Sequence, residues 1–420
     1  MIYKAVRGTK DILPDDTGKW QYIIKIARET FDRYGYSEII IPTFESTELF
    51  TRGIGGTTDI VTKEMYSFTD KKGRSITLRP EGTAGVIRAY LENGLCTKSS
   101  LIKLYYIGPM FRYERPQSGR YREHWQIGVE AIGSDNPALD GEVINYVIDL
   151  LKKLGITDLK TQLNSIGCLE CRPKYIHILK EFLKGKISGL CEVCVERIEK
   201  NPLRILDCKG ETCKSIFKDK EAPKVLDFLC EPCNVHFNLV KEYLELLHIK
   251  YEINNYLVRG FDYYTKTVFE IVSDKLGAQN SIVGGGRYNN LVEELGGSPT
   301  PAVGFALGIE RLLLSLDSLG VNIPCEHKLD IFIVYLGKEA LKKSLEISSI
   351  LRNAGYKVIS VFEDKSLKSQ LKIANQYNAE KVIIVGDNEL KQGIVILKNM
   401  KDGSQKNIKI ENILEGVKSI

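Results

Sequence analysis

The sequence predicts an α+β chain: a hairpin-built sheet domain with a helical, cysteine-rich insertion, then a small C-terminal α/β domain. Three observations predict it. Residues 111–130, FRYERPQSGRYREHWQIGVE, read as two strands around a long charged loop. Eight of the ten cysteines fall between Cys168 and Cys233, among short helical pieces. From residue 327 onward, strand-like and helix-like stretches alternate, as in a partly parallel sheet.

Taken in order, residues 19–34 carry Ile23, Ala27, Phe31 and Tyr34 on one helical stripe, with Asp16 or Thr17 as N-cap and Gly35 as the stop. The strand SEIIIP follows and ends at Pro42. Residues 53–63 form a glycine-rich polar loop without the Gly-Lys-Ser/Thr ending of a nucleotide P-loop. In SITLRPEGTAG, Glu81 is bracketed by Pro80 and Gly82, and Thr83 is expected to cap the helix that follows. The ribbon's strands, 110–113 and 125–131, alternate. Arg112 and Glu114 share one face, Gln126, Gly128 and Glu130 share a polar face, and Trp125, Ile127 and Val129 share an apolar one. Further helices are expected at 139–154 and 234–248, strands within 251–274, and a strand-to-helix unit in PAVGFALGIERLLLSLDSLG. The terminal domain runs strand (KLDIFIVYL), helix, strand (YKVISVF), helix (367–377), strand (EKVIIVG), then a hairpin across Asp402-Gly403. The domains divide as 1–325, with the insertion at about 168–248, and 326–420.

With 420 residues, 43% of them hydrophobic, the chain can build more than one core. MIYKAVRGTKDILPDD has no apolar centre and no run approaches a membrane span, so a cytoplasmic protein with reduced thiols is expected. The net charge is +5, and residues 327–420 alone carry 16 Lys and Arg against 11 Asp and Glu. A basic terminal domain suits a polyanionic partner.

Four separated features share a chemical theme: Arg112 in the ribbon, Arg259-Gly260 before Asp262-Tyr263-Tyr264, the run Gly284-Gly285-Gly286-Arg287, and Gly304 and Gly308 ahead of Glu310-Arg311. Guanidinium groups beside glycine-lined backbone suit a polyphosphate, since they bind its oxygens in pairs and the absent side chains let a ligand approach. Three C-x-x-C pairs, Cys168/Cys171, Cys191/Cys194 and Cys230/Cys233, and the looser Cys208/Cys213 each supply half of a tetrahedral zinc site; one or two structural Zn²⁺ sites are expected.

These stretches carry a family resemblance. The ribbon resembles the second signature motif of class II aminoacyl-tRNA synthetases, and PAVGFALGIERL resembles the third, with Arg311 as its arginine. SEIIIPTFE resembles the first motif, and LVRGFDYYTKTVFE and VGGGRYNNLVEELGG resemble the peptides peculiar to histidyl-tRNA synthetases. The resemblance covers essentially the whole chain. It implies a class II antiparallel-sheet catalytic domain, an anticodon-binding C-terminal domain, a homodimer joined around Pro42, and ligation of L-histidine to tRNA(His) with ATP and Mg²⁺. The alternative is the catalytically silent paralogue that serves as regulatory subunit of ATP phosphoribosyltransferase. That paralogue typically lacks the anticodon domain and loses the phosphate-binding arginines.

Carried onto matching positions, the resemblance implies that Glu81, Thr83 and Gln126 hold the amino group and orient the carboxylate of histidine. Glu130 and Tyr264, with Tyr263 nearby, bracket the imidazole. Arg112 and Arg259 grip the α-phosphate, Arg120 and Arg311 the outer phosphates, and Glu114 contacts adenine. Arg115 and Gln117 read the tRNA acceptor end. One position departs from the motif: His124 stands where an aromatic residue usually stacks on adenine.

Overall fold

Eleven strands build the first part of the chain: β1 (Ser37–Glu38), β2 (Phe44–Ser46), β3 (Tyr66–Thr69), β4 (Ser75–Leu78), β5 (Ile102–Phe111), β6 (Glu123–Ile132), β7 (Lys160–Ser165), β8 (Tyr251–Ile253), β9 (Thr265–Val272), β10 (Ser281–Arg287) and β11 (Ala302–Gly308). They are seen in a computed structural model that describes residues 3–117, 119–273, 275–276, 281–324 and 329–418. Eight of them form one sheet in the order β1-β5-β6-β11-β10-β9-β7-β8; β2, β4 and β3 form a small second sheet. Pairing in the large sheet is antiparallel from β5 to β7 and parallel only at its edges, β1 with β5 and β7 with β8. The chain divides into two compact units, Met1–Pro324 and Cys325–Ile420. The sequence-based boundary at 325/326 and the thiol of Cys325 lie outside the described residues.

Alternation along the strands sorts the large sheet into two faces. Ile127, Val129 and Ala131 of β6, Val303, Phe305 and Leu307 of β11, and Phe269 and Ile271 of β9 point into the main core. Helices Pro14–Arg33, Pro137–Lys153, Glu231–Leu246 and Ile309–Ser318 cover that face with residues such as Ile23, Phe31, Val143, Val147, Val240 and Leu312. The opposite face carries cross-strand rows of small and polar residues. One row is Tyr106, Gly128, Ala306, Gly284 and Glu270; the next is Leu104, Glu130, Gly304, Gly286 and Val268.

The first helix begins earlier than its apolar stripe suggests. Leu13 is the N-cap and Pro14 occupies the first turn, where a missing N–H costs nothing, so Asp15 and Asp16 sit beside the helix's positive end rather than capping it. Gly35 stops it with φ of 74°. Pro137–Lys153 is capped by Asn136, whose Oδ1 accepts from the Ala138 N–H at 2.9 Å. Ser37–Glu38 is the only strand in SEIIIP, and beyond it Ile40 is 89% exposed. The helix Thr47–Ile54 runs into the start of the glycine-rich loop, and Ile60–Glu64 forms one wide turn at its end.

The second unit has strands β12 (Leu329–Leu336), β13 (Val358–Ser360), β14 (Ala379–Gly386), β15 (Ile394–Asn399) and β16 (Gln405–Lys409), in the order β13-β12-β14-β15-β16. Its first three neighbours run parallel and the last two antiparallel, with helices Lys338–Asn353 and Leu367–Gln376 between the parallel strands. Among the described residues, no helix of the chain is long and apolar enough to cross a membrane.

Arg287, grouped above with phosphate-binding arginines, does something else. It is fully buried, with Nη2 2.5 Å from Asp140 Oδ2 and Nη1 donating to the Ser134 carbonyl at 2.7 Å. Burial alone would raise the Asp140 carboxyl, but the Arg287 charge overrides it and holds the acid down at about 2. This pair ties β10 to the helix Pro137–Lys153, with His236 Nε2 also 3.5 Å from Asp140 Oδ1 and Asp135 Oδ1 3.5 Å from Arg287 Nη1. Arg287→Met should therefore destabilise the chain by about 3–5 kcal/mol in denaturant titration, because the buried Asp140 loses its permanent cation and keeps only His236. A loss under about 1 kcal/mol would mean that the pair is dispensable.

Candidate active site

The polar rows of the sheet form a floor, and loops wall it. A cavity of about 130 Å³ on that floor is lined by Glu81, Thr83, Arg112, Gln126, Glu130, Arg259, Tyr263 and Tyr264, together with Tyr106, Phe261, Tyr288 and Gly284. The six residues expected to hold histidine and the two arginines expected at the α-phosphate thus converge on one hollow. A second cavity of about 320 Å³ shares Arg112 and Gln126 with it, and adds Glu114, Arg120, His124, Arg311, Arg204 and Asp207. Of the five residues expected at the nucleotide, Arg112, Glu114, Arg120 and Arg311 border this second space, and Arg259 lines the smaller one. Arg115 and Gln117 are exposed on the ribbon loop, where Gln117 exchanges backbone hydrogen bonds with Arg120.

Glu130 sits at the bottom of the smaller cavity, 1% exposed. Thr83 Oγ1 donates to its Oε1 at 2.7 Å and the Tyr288 hydroxyl to its Oε2. Burial pushes this carboxyl up to about 8, against those two donors and with the help of the Glu81 charge. Glu81 is also buried, and that raises its pKa as well. Its two oxygens accept the backbone N–H groups of Thr83 and Ala84 at 2.6 and 2.8 Å. The expected capping by Thr83 is therefore wrong: Glu81 caps the helix Thr83–Glu92, and the Thr83 hydroxyl is turned to Glu130 instead.

The arginines are held before any anion arrives. Arg112 Nε donates to the Pro80 carbonyl at 2.8 Å and its guanidinium lies over the Phe261 ring, 5.5 Å from the centroid. Arg259 pairs with Glu270 through Nη1, while its Nε and the Oε1 of Gln126 are buried without a hydrogen-bond partner among the described residues. Unpaired buried polar atoms in a hollow are available to a ligand. Arg120 Nη1 lies 3.4 Å from Glu114 Oε2, and Arg112 Nη1 3.8 Å from Glu114 Oε1. His124 is kept neutral: burial first, then the Arg112 charge, pull its pKa down to about 3. A neutral imidazole can face an aromatic base without importing charge.

The glycines serve the chain's own side chains. A Cβ on Gly284 would lie 1.9 Å from Arg259 Nη2, one on Gly304 2.2 Å from Glu130 Oε2, and one on Gly128 2.3 Å from the Tyr106 ring. The glycine run clears space for Arg259 and Tyr264, and Gly284 also borders the smaller cavity, where a ligand would meet bare backbone. Tyr106, Tyr288 and Phe261 were not singled out from sequence. Tyr288 and Phe261 lie inside quoted motifs, and Tyr106 sits directly opposite Gly128, a pairing visible only once the strand register is known.

The eight clustered cysteines gather into two quartets, Cys168/Cys171/Cys230/Cys233 and Cys191/Cys194/Cys208/Cys213. In the first, three Sγ–Sγ separations are 3.5, 3.7 and 3.6 Å. A sulfur tetrahedron around zinc, with Zn–S of about 2.3 Å, has edges of about 3.8 Å. In the second, Cys191 and Cys208 sulfurs stand 4.0 Å apart and the Cys191 N–H donates to Cys213 Sγ at 3.2 Å. Both sets fit a divalent soft ion.

Comparison with known proteins agrees with this layout. Residues 8–312 match the family model described as histidyl-tRNA synthetase, and residues 330–420 match that of an anticodon binding domain. A histidine–tRNA ligase from Halothermothrix orenii is 52% identical, and one from a Thermoanaerobacter species 51%, each over 100% of both chains. The crystal structure of apo histidyl-tRNA synthetase from S. aureus superposes with a TM-score of 0.83 at 39% identity, covering 100% of both chains. The chain belongs to the histidyl-tRNA synthetase family, within a class II catalytic fold joined to an anticodon-binding domain.

Proposed function

We infer that the chain is a histidine–tRNA ligase, activating L-histidine with MgATP and passing it to the 3′ end of tRNA(His). The observation that carries the reading is the junction of the two cavities at Arg112 and Gln126, which sets an amino-acid pocket against a nucleotide pocket. The regulatory-subunit reading is not retained, since the arginines are present and the ligases match along the full length.

In this reading Glu130 and Tyr264 bracket the imidazole, with Tyr263 beside them, and Glu81, Thr83 and Gln126 hold the amino group and turn the carboxylate toward the larger cavity. One carboxylate oxygen attacks the α-phosphorus, the bond to the bridging oxygen breaks, and pyrophosphate leaves. Both reactants are anions. Arg112 and Arg259, charged throughout, offset the charge that develops on the α-phosphoryl oxygens. Arg120 and Arg311 hold the outer phosphates, and Glu114 meets adenine. Orientation supplies the rest: reacting atoms held near contact distance gain a large effective concentration, so no side chain need act as nucleophile. In the second step the terminal ribose hydroxyl of the tRNA attacks the carbonyl carbon of the adenylate and AMP departs. Arg115 and Gln117, exposed on the ribbon, meet the tRNA end.

Each cysteine quartet holds one structural Zn²⁺, which ties the insertion together in place of a large core. The working form is a cytoplasmic homodimer, for which the exposed Ile40 and Phe44 beside Pro42 supply apolar surface.

Charging of tRNA(His) tests the assignment. Arg259→Ala should lower the rate of histidine activation by roughly 100-fold or more while leaving the fold intact by circular dichroism, as for loss of a donor that serves the transition state. Near-normal turnover would remove Arg259 from the mechanism. Glu130 adds a pH signature. Its carboxyl is raised to about 8, so the folded chain keeps a proton that the unfolded chain releases. Stability from this source is full at low pH and lost as pH rises through about 8. Melts of the ligand-free protein from about pH 5 to 8.5 should decline less for Glu130→Gln than for the unmodified chain, and parallel slopes would contradict the buried, protonated carboxyl.

A further inference from the structure

The stretch 195–207 of the insertion reaches the catalytic loops on the nucleotide side, and both of its ends finish in the same sulfur quartet. Cys191 and Cys194 precede it; Cys208 and Cys213 follow it. Three side chains on or beside the helix Glu192–Lys200 and the turn Pro202–Ile205 reach across. Arg197 Nη2 pairs with Asp59 Oδ2 at 2.6 Å, and Asn201 Nδ2 donates to Asp262 Oδ1 at 3.1 Å. Arg204 Nη1 donates to the backbone oxygen of Arg259 at 3.2 Å. Arg204 and Asp207 then form part of the wall of the larger cavity, facing the side that holds Arg120 and Arg311.

A nine-residue helix followed by a single tight turn is marginal without something to hold it. Ile198 and Ile205 bury it against the insertion's own small core, so packing fixes it to the insertion but not to the active site. What fixes its two ends relative to one another is the quartet. The first quartet stands elsewhere: Arg172, next to Cys171, donates to the carbonyl of Tyr264, on the amino-acid side.

We propose that a zinc ion in the Cys191/Cys194/Cys208/Cys213 quartet stretches the strap 195–207 across the nucleotide half of the site, so that Arg204 and Asp207 complete the ATP wall. The proposal rests on the zinc reading above. Arg204 ties the strap down: its charged hydrogen bond to the Arg259 carbonyl anchors the turn Pro202–Ile205, while the Arg259 side chain keeps its own pairing with Glu270 over Gly284. Without the metal the strap can lift, and the larger cavity loses a wall while the smaller one keeps its lining.

The test uses the full-length protein, purified without chelator, with zinc counted by mass spectrometry and KM values for ATP and for histidine measured separately by pyrophosphate exchange. The unmodified chain should carry two zinc ions, and Cys208→Ser one. Both Cys208→Ser and Arg204→Ala should raise the KM for ATP about tenfold, as for loss of a hydrogen bond to a charged group, and leave the KM for histidine within about twofold. Arg204→Ala should do so with both zinc ions retained, and Arg204→Lys should recover part of the loss. An ATP KM unmoved in both variants overturns the strap while leaving the zinc reading intact. An equal rise in both KM values also overturns it, since that is general loosening. An unmodified chain without zinc removes the zinc reading itself.

Discussion

The site depends on a sheet that is bare where side chains must lie flat. Glu130, Arg259 and Tyr106 rest directly on the backbone of β11, β10 and β6, at Gly304, Gly284 and Gly128. None of the three positions has room for a methyl group, because the nearest atoms would come within about 2.3 Å of a Cβ. The apolar face of the same strands is filled with Ile127, Val129, Phe305 and Phe269 against four helices. Alternation with period two produces both faces together: a strand that buries its branched residues below presents its glycines and its one carboxylate above.

Electrostatics divides the floor into two regions. At the amino-acid end, buried Glu81 and Glu130 are both raised by desolvation, and hydroxyls and helix N–H groups satisfy their oxygens. At the nucleotide end, Arg112, Arg120, Arg204 and Arg311 border a larger space; Glu114 sits between Arg112 and Arg120, and Asp59, Glu64 and Asp207 line the rest. Arg112 belongs to both regions, and so does Gln126. An acid-lined pocket suits an imidazole and an ammonium group; an arginine-lined one suits phosphates. The joint between them is where a carboxylate and a phosphate would meet.

Much of this was legible in the sequence because it is local. The ribbon's two faces follow from alternation, the helices from their apolar stripes, and the terminal unit from its strand–helix rhythm. What was not legible depends on distant pairing. Arg287 looks like its neighbours Arg112 and Arg259 until Asp140, far away in the chain, is found against it in the core. The glycine run reads as a place for a ligand, and only strand register shows that Arg259 and Tyr264 lie on it as well. The C-x-x-C pairs announce a metal, but not that the first joins the pair at Cys230/Cys233 while the middle two join each other. Local rules also misplaced the cap at Thr83, since a free carboxylate two residues earlier competes better for the same N–H groups.

The central claim is that two adjoining pockets form one catalytic site in which histidine attacks ATP. It is tested most directly by following labelled pyrophosphate into ATP with the unmodified protein, with and without histidine. The account predicts exchange that requires histidine and is not supported by other amino acids. A protein that binds histidine tightly yet exchanges no pyrophosphate would contradict it.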